Sequence, residues 1–278
     1  MQSSIDISQL LAAALAEDIG SGDITSNATI PAELEAKFVM NAREALVTAG
    51  LEFLPKLFEM IDAKVRVTLA VFDGVAVEKG TALATLQGPA RALLAGERVA
   101  LNLVQQLSGV ATLTRRYVDA VAGTKAQILD TRKTIPGLRA LQKYAVKCGG
   151  GTNHRMGLYD AVLIKDNHIA AVGGVTAAVS AAKAHAPKGV TIEVECDTLA
   201  QLEEALAVGC DIVLLDNMSN NDLRAGVKHA HAKGVKVEAS GNVNLATVRS
   251  IAETGVDYIS VGKLTHSAMA VDIGLDEA

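Results

Sequence analysis

The sequence predicts an α/β protein in which an N-terminal α+β domain, residues 1–115, is followed by an incomplete (β/α) barrel, residues 116–278. The first observation is a unit repeated in the second part: a short apolar strand, a polar residue or glycine at its end, and then a helix. The second is composition. Half of the residues are hydrophobic, only 3% are aromatic and Trp is absent, so Ala, Val, Leu and Ile must build the core, as in parallel strands buried on both faces.

The first domain is predicted from alternating segments and turn signals. It opens with MQSSIDISQLLAAALAED, which has no basic start and ends in acidic residues, so we expect an amphipathic helix rather than a signal peptide. A polar loop, a strand in AKFVMNAREALVTAG and a helix over residues 51–61 follow. KVRVTLAVFDGVAVEKGTALATLQG alternates around Asp-Gly and Lys-Gly turns, which is typical of antiparallel strands. A helix from Ala90 to Val121 closes the domain, and Gly109 is a point at which it could break.

The barrel domain is predicted from six strands, which read AQILD, DAVLIK, TIEVE, DIVLLD, VKVEAS and YISVG. Helices are expected between them over residues 176–186, 199–208, 221–233 and 245–254. A tail follows the last strand and is free to pack back on the first domain. Active sites of such barrels lie at the C-terminal ends of the strands. Those ends carry Asp130, Arg132 and Lys133, then Lys165, Glu195, Asp216, Ser240 with Gly241, and Gly262.

The interval between Asp130 and Asp160 is strongly basic in a chain whose formal net charge is -5. It contains no acidic residue, and its basic residues are Arg132, Lys133, Arg139, Lys143, Lys147, His154 and Arg155. Like charges this close repel each other, so the interval needs an anionic partner, and a triple glycine beside it offers a turn for one. Scarce aromatic residues argue against single-stranded nucleic acid, and clustering near one turn favours a phosphorylated metabolite over nucleic acid in general.

Cysteine usage and hydropathy bound the location of the protein. Cys148, Cys196 and Cys210 have no CxxC spacing, and we expect free thiols in a reducing cytosol. No uncharged apolar stretch is long enough to span a bilayer. The sequence therefore predicts a soluble, cytoplasmic protein without a membrane partner.

Basic residues near the first two strand ends are candidate anion ligands. Arg132 and Lys133 suit recognition of a carboxylate or phosphate, although such a pair can also be a solvated loop. His154 and Arg155 precede a strand and are interpreted as ligands, against a purely structural histidine. Lys165 is either a Schiff-base nucleophile or an anion clamp.

Three further cations form a stripe whose role the sequence leaves open. Arg139, Lys143 and Lys147 lie four residues apart in a helix that is expected to start near Pro136 and to stop at Gly149. A charged stripe on a helix is either a functional surface or a solvated face.

Acidic residues and glycines end the later strands. Glu195 and Asp216 end consecutive strands, where paired carboxylates can hold Mg²⁺ or stabilise a developing cation, and salt bridges to nearby cations are the alternative. Gly241 and Gly262 follow the last two strands. Glycine there exposes backbone N–H groups, and late loops are the usual phosphate site of such barrels.

Seven segments together resemble the quinolinate phosphoribosyltransferase family. The resemblance covers nearly the whole chain in the family's order, and the block TRKT…GGGxNHRxGLxD…IKxNH is highly specific. The segments are EDIGSGDITS, ERVALNLVQQLSGVAT, DTRKTIPGLRALQKYAVKCGGGTNHRMGLYDAVLIKDNHI, IEVECD, LLDNM, VEASGN and YISVGKLTHS. This resemblance implies a type II phosphoribosyltransferase fold and an enzyme of NAD biosynthesis. Such an enzyme converts quinolinate and 5-phosphoribosyl 1-diphosphate to nicotinate mononucleotide, diphosphate and CO₂ with Mg²⁺.

The resemblance also implies roles for individual residues. The quinolinate and diphosphate pocket would be lined by Arg132, Lys133, His154, Arg155 and Lys165. Glu195 and Asp216 would face the ribose and the metal, directly or through water or substrate, and would be catalytic together with Lys133. The 5′-phosphate end would contain Ser240, Gly241, Gly262 and His266. Arg98 would be donated across a homodimer interface to the neighbouring subunit's quinolinate.

Other functions remain open at this point. A Schiff-base aldolase built on Lys165 and a non-catalytic metabolite-binding protein are the rival classes. A relative that uses nicotinate, or a molybdenum-linked paralogue, is the nearest confusion, and the number of cations that face the aromatic acid would discriminate between them.

Overall fold

The structure is a computed structural model and describes residues 7–278. The first six residues of the expected amphipathic helix lie outside this range. The Cα positions group into two compact units. The first comprises Met1–Leu113 (from residue 7 onward), Ala140–Gly150 and Ala268–Ala278, and the second comprises Thr114–Arg139 and Gly151–Ser267.

The helices and strands are numbered here in chain order. They are α1 Ser8–Ile19, α2 Ile24–Thr29, β1 Glu35–Ala42, β2 Leu46–Val47, α3 Leu54–Ile61, β3 Arg66–Leu69, β4 Ala76–Val77, β5 Ala82–Pro89, α4 Ala90–Ala120, β6 Gln127–Leu129, α5 Arg139–Cys148, β7 Val162–Ile164, α6 Asp166–Val172, α7 Val175–His185, β8 Ile192–Cys196, α8 Leu199–Val208, β9 Ile212–Asp216, α9 Asn220–Ala232, β10 Lys236–Ser240, α10 Val248–Ala252, β11 Tyr258–Ser260, α11 Lys263–His266 and β12 Ile273–Glu277.

An antiparallel sheet organises the first unit. Its strand order is β12-β1-β5-β3, and β2 and β4 form a separate short pair. Met40 at the centre of β1 is fully buried and pairs with Leu275 on one side and Ala84 on the other. The alternating segments thus form the antiparallel strands that the sequence predicts.

Helix α4 runs without interruption through Gly109, so the expectation of a break there is wrong. A Cβ added at Gly109 would lie 2.0 Å from the carbonyl oxygen of Met269. Next to it, the side chain of Gln105 donates a hydrogen bond of 2.7 Å to the carbonyl of Ile273. Glycine is therefore needed for the close approach of the C-terminal segment, and the helix keeps its regular hydrogen bonds.

The second unit contains the six predicted strands as one parallel sheet. The strand order is β6-β11-β10-β9-β8-β7, so the sheet follows the circular order of a barrel and is open between β6 and β7. Thr152, in the connection between these two strands, makes an isolated parallel bridge to Leu129 of β6. The predicted helices are present as α7 to α10, with ends shifted by a few residues.

Strand register assigns side chains to one of two faces of this sheet, because paired residues of adjacent strands point the same way and neighbours along a strand alternate. Glu195 pairs with Leu214, which also pairs with Glu238, and Asp216 pairs with Ser240. These side chains therefore share a face, which we call the inner face. Asp130 is one residue beyond Leu129, the partner of Ser260, and lies on the opposite, outer face.

Local sequence signals explain where the barrel helices begin. Thr198 precedes α8 and accepts from the N–H of Gln201, whose side chain returns to the start of the helix as a capping box. Ser219 precedes α9, and its side chain accepts from the N–H of Asp222. Among the helices of the described residues, none is both long and apolar enough to cross a membrane.

Candidate active site

The inner face of the second unit carries the predicted residues of three consecutive strands at one edge. Lys165 directly follows β7, Glu195 is near the end of β8, and Asp216 ends β9. Because the carboxyl ends of parallel strands meet at the same edge, these side chains converge there. This edge is the candidate active site.

Lys165 and Glu195 are in direct contact. The Lys165 ammonium pairs with Oε2 of Glu195, and the Lys165 side chain remains 45% exposed while that of Glu195 is 12% exposed. The expected alternative for Glu195, a salt bridge to a nearby cation, is thus present. Any anion that takes Lys165 must compete with this carboxylate.

A network of two asparagines holds Asp216. The side chain of Asn217 donates 2.5 Å to Oδ2 of Asp216 and accepts 3.0 Å from the side chain of Asn242, while its backbone N–H donates 2.9 Å to the carbonyl of Ser240. Both asparagines have a left-handed backbone, with φ of 52° and 49°. Gly241 has φ +94°, and an added Cβ would lie 2.2 Å from Oδ1 of Asn217.

Asn217 and Asn242 are absent from the sequence-predicted site. The available signal was weak: an asparagine directly after a strand-end Asp, and another after Ser-Gly, are ordinary turn signals. Only the register of β9 and β10 brings the two turns together.

Two residues predicted for the phosphate end, Gly262 and His266, lie beside Lys133, which was predicted for the quinolinate and diphosphate pocket. A Cβ added at Gly262 would lie 3.0 Å from Cδ of Lys133 and 3.3 Å from Nε2 of His266. The hydroxyl of Thr265 donates 2.7 Å to the Lys133 carbonyl and fixes this loop. Lys133 and His266 are both exposed, and Nδ1 of His266 lies 2.6 Å from the hydroxyl of Ser267.

Glu193 and Glu238 were not predicted as site residues and form the floor of the inner face. They are 3% and 1% exposed. Their Oε2 atoms lie 3.0 Å and 3.4 Å from Nε2 of His154. Since β8 and β10 are separated by β9, a shared histidine shows that the sheet curves toward this face. The alternating pattern of IEVEC and KVEAS was the signal that could have placed both carboxylates inward.

The side chains at this floor shift the pKa values of His154 and Glu193. Burial lowers the pKa of His154, hydrogen bonds to Glu193 and Glu238 raise it, and the balance is a pKa raised to about 10. Burial and the charge of Glu238 raise the pKa of Glu193 to about 7. The Arg155 N–H donates 2.7 Å to Nδ1 of His154, and Nε2 faces the two carboxylates.

Two arginines stand close together beside this floor. Burial lowers the pKa of Arg155, and the charge of Arg132 lowers it further. The guanidinium of Arg155 donates 3.2 Å to the carbonyl of Ala161. Nε of Arg132 is buried, and within residues 7–278 it has no hydrogen-bond partner. The charges of Glu193 and Asp160 also act on Arg155 and raise its pKa, and two neighbouring guanidinium groups suit the expected site for a carboxylate or phosphate.

The three cations Arg139, Lys143 and Lys147 do not form a solvated stripe. Helix α5 begins at Arg139, whose guanidinium donates to the hydroxyl of Thr134 at 3.0 Å and to two backbone carbonyls. Lys143 is 1% exposed, and only Lys147 is exposed. The four-residue spacing put them on one side of the helix, but a spacing does not tell what covers that side.

The remaining predictions on side chains concern metal ligands and Arg98. In the part of the chain that the structure describes, His154, Glu193 and Glu238 are the one group of three or more metal-type ligands close together. Glu195 and Asp216 offer carboxylate oxygens on adjacent strands, as Mg²⁺ sites with one or two carboxylates and bound phosphates do. Arg98 is exposed on α4, and its role across a dimer stays a prediction.

Family comparisons cover almost the whole chain. The model of the N-terminal domain of quinolinate phosphoribosyl transferase matches residues 23–108, and that of its C-terminal domain matches residues 110–276. The chain belongs to the quinolinate phosphoribosyltransferase family. The family resemblance and the fold that it implies are therefore confirmed.

Similar proteins support this family assignment. The probable carboxylating nicotinate-nucleotide pyrophosphorylase of Bacillus subtilis is 45% identical over 272 residues, which are 98% of this chain and 93% of that protein. Its counterpart from Mycobacterium leprae is 49% identical over 95% of this chain and 94% of that protein. The structure of the nicotinate-nucleotide pyrophosphorylase of Francisella tularensis is 40% identical, with a TM-score of 0.94 over 98% of this chain and 96% of that one. Human nicotinic acid phosphoribosyltransferase, at 16% identity and a TM-score of 0.64 over 98% of this chain and 74% of that one, shares the fold alone.

Proposed function

We propose that this member of the family transfers the phosphoribosyl group of 5-phosphoribosyl 1-diphosphate to quinolinate with decarboxylation. The products are nicotinate mononucleotide, diphosphate and CO₂, and the reaction belongs to NAD biosynthesis. The observation that carries this proposal is the match of both domain models of the family along residues 23–276.

The cations beside the inner face suit the acid substrate. Quinolinate is a dianion, and its two carboxylates lose water on binding, so several charged donors must replace that water. Arg132, Arg155 and Lys165 provide these donors, with Lys133 beside the diphosphate. His154 lies among them, and both of its ring nitrogens have partners within the protein.

The carboxylates suit the transfer step. When the bond between C1′ of the ribose and diphosphate breaks, positive charge develops at C1′, and Glu195 and Asp216 stabilise it or hold the ribose hydroxyls. The pyridine nitrogen of quinolinate forms the new bond to C1′ and becomes cationic. The carboxylate at carbon 2 then leaves as CO₂, its bonding electron pair stays on carbon 2 beside the cationic nitrogen, and a proton completes the ring C–H bond. No organic cofactor is required for these steps.

Phosphate groups are expected at two places. Lys133 would take up charge on the leaving diphosphate. The 5′-phosphate would lie at the loops after the last two strands, against Ser240, Gly241, Gly262 and His266, where late barrel loops usually bind phosphate. The contact between Gly262 and His266 supports the 5′-phosphate end, and Lys133 lies directly beside it.

Mg²⁺ is the proposed metal. Glu195 and Asp216 would hold it, directly or through water or substrate, with the oxygen chemistry that this ion prefers. When bound, it would neutralise charge on the diphosphate.

Assembly and location complete the proposal. We infer a homodimer or a larger oligomer in which Arg98 of one subunit reaches the quinolinate of its neighbour. We also infer a cytoplasmic protein, and the three free cysteines are compatible with a reducing compartment.

Release of labelled CO₂ tests the function. Quinolinate labelled at the 2-carboxyl should release CO₂ only when 5-phosphoribosyl 1-diphosphate and Mg²⁺ are present. Nicotinate should not replace quinolinate as the acceptor of the phosphoribosyl group. Release without the phosphoribosyl donor, or none with it, would contradict the proposal. Borohydride trapping of a carbonyl substrate on Lys165 would favour the aldolase instead.

A further inference from the structure

The segment that begins at Asn153 lies at the open seam of the second unit and is held from both faces of the sheet. On the outer face, the carboxylate of Asp130 accepts 2.5 Å from the Asn153 side chain and 2.9 Å from the backbone N–H of His154. On the inner face, the imidazole of His154 reaches Glu193 and Glu238. Loops are usually more mobile than the elements they connect, and these four contacts restrain this segment.

On the inner face, the burial of the two carboxylates is energetically unfavourable by itself. Glu193 and Glu238 are nearly fully buried, and Oε1 of each has no hydrogen-bond partner within the described residues. Buried carboxylates without full hydrogen bonding destabilise a fold, whereas apolar residues of similar size would pack without that penalty. Packing therefore does not explain two carboxylates at these buried positions.

The contacts of His154 restrain the main chain that leads to Arg155. Nδ1 of His154 accepts the Arg155 N–H at 2.7 Å, and the Arg155 guanidinium is tied to Ala161 at 3.2 Å. With Nε2 directed to the carboxylates and Nδ1 to this N–H, the ring has one orientation. The orientation of the ring therefore restrains the backbone of Arg155, from which its side chain extends.

We infer that Glu193 and Glu238 are positioning residues for the acid substrate: through the ring of His154, they fix the main chain from which Arg155 reaches quinolinate. The inference rests on the proposed function, in which Arg155 binds a quinolinate carboxylate. It assigns no contact between either glutamate and a substrate. Their removal should therefore weaken quinolinate binding and leave the phosphoribosyl donor nearly unaffected.

A double-mutant cycle on KM for quinolinate tests this inference. Glu193→Leu removes the nearer acceptor and should raise this KM by about tenfold or more, as loss of a charge-assisted hydrogen bond does. Glu193→Gln keeps an acceptor and should restore most of the affinity. His154→Ala should raise the KM as Glu193→Leu does, and the double variant should be no worse than His154→Ala alone, because the glutamate acts through that ring.

A second Glu–His pair provides the matched control. Glu203 of α8 contacts His229 of α9 at the surface, where both side chains are about half exposed. Glu203→Leu should change neither the KM for quinolinate nor the KM for the phosphoribosyl donor. If Glu193→Leu does not fold, the cycle is made with Glu238→Leu, which removes the other acceptor, and His154→Ala. Calorimetry with quinolinate alone provides the binding constants without turnover.

The outcomes separate this inference from the proposed function. A wild-type protein that binds quinolinate but releases no CO₂ contradicts the function and leaves the calorimetric cycle to decide the inference. Additive effects of the glutamate and His154 variants, or equal rises in both KM values, would show that the glutamates only stabilise the fold and overturn the inference. Stoichiometric zinc that is lost in Glu193→Leu would also overturn it, since the three side chains would then be metal ligands.

Discussion

Replacing Gly241 with alanine should disable the site by moving Asn217 away from Asp216. The new Cβ would lie 2.2 Å from Oδ1 and 2.8 Å from the backbone nitrogen of Asn217, whereas Cβ atoms rarely approach other atoms closer than 3.0 Å. Asn217 must therefore shift by several tenths of an ångström, although it is held on three sides by Asp216, Asn242 and Ser240. A left-handed residue other than glycine adds about 1–2 kcal/mol of strain.

Gly234→Ala separates these two contributions. Gly234 also has positive φ, +73°, but an added Cβ meets nothing within 4 Å, so this variant carries the backbone strain without the collision. A loss of about 1–2 kcal/mol should lower its melting temperature by a few degrees and leave kcat unchanged. In Gly241→Ala, the same strain is joined by a displaced carboxylate, and misplacement on the order of 1 Å can lower kcat about 100-fold.

The assay is steady-state CO₂ release together with thermal unfolding of both variants. If Gly241→Ala loses no more activity than Gly234→Ala at equal stability, the asparagine network does not position Asp216 and the reasoning fails. A normal melting temperature in Gly241→Ala would likewise show that the turn relaxes at no energetic expense.

The other predictions concern charge, substrate and assembly. Glu195→Gln and Asp216→Asn keep size but remove charge, so kcat should fall by roughly 100-fold or more while substrate affinity changes less, as measured by steady-state kinetics. Quinolinate should be preferred over nicotinate in kcat/KM, because each lost charge-assisted contact typically weakens binding by about 1.5–3 kcal/mol. Mixing Arg98→Ala with Lys133→Ala subunits should return about a quarter of wild-type activity, since about half of the dimers are mixed and each has one intact site.

Each of these predictions can fail separately. Near-normal kcat in both carboxylate variants would leave Glu195 and Asp216 as salt-bridge and hydrogen-bond partners only. Equal kcat/KM values for the two acids would remove the basis for a dianion site. If subunits demonstrably exchange and no activity returns, Arg98 does not serve a neighbouring subunit.

The barrel strands were predictable because each is a short apolar run that ends in a polar residue or glycine. That pattern is local, and alternation along a parallel strand then places Glu195 and Asp216 on a common face once pairing is known. Gly109 was misjudged because the glycine makes room for the carbonyl of Met269, a residue far away in sequence. A glycine that permits close approach looks in sequence like one that ends a helix.

The floor of the site was missed for a different reason. Alternation with Glu195 and Ser240 gives the direction of Glu193 and Glu238, but a glutamate is normally solvent-exposed, and nothing local predicts that these two are buried. Their meeting depends on the curvature of the sheet, which brings non-adjacent strands to the same histidine. The role of Lys143 stayed open for a related reason, because helical spacing gives the direction of a side chain but not its burial.

The pairing of Lys165 with Glu195 has a thermodynamic consequence for a two-substrate enzyme. If the acid substrate takes the ammonium and the ribose or its metal takes the carboxylate, both ligands draw on the same ion pair in the free protein. The first ligand to bind breaks the Lys165–Glu195 ion pair. The second ligand then binds a side chain that is already separated from its partner. The two affinities are linked, and by reciprocity each ligand must tighten the other by the same factor.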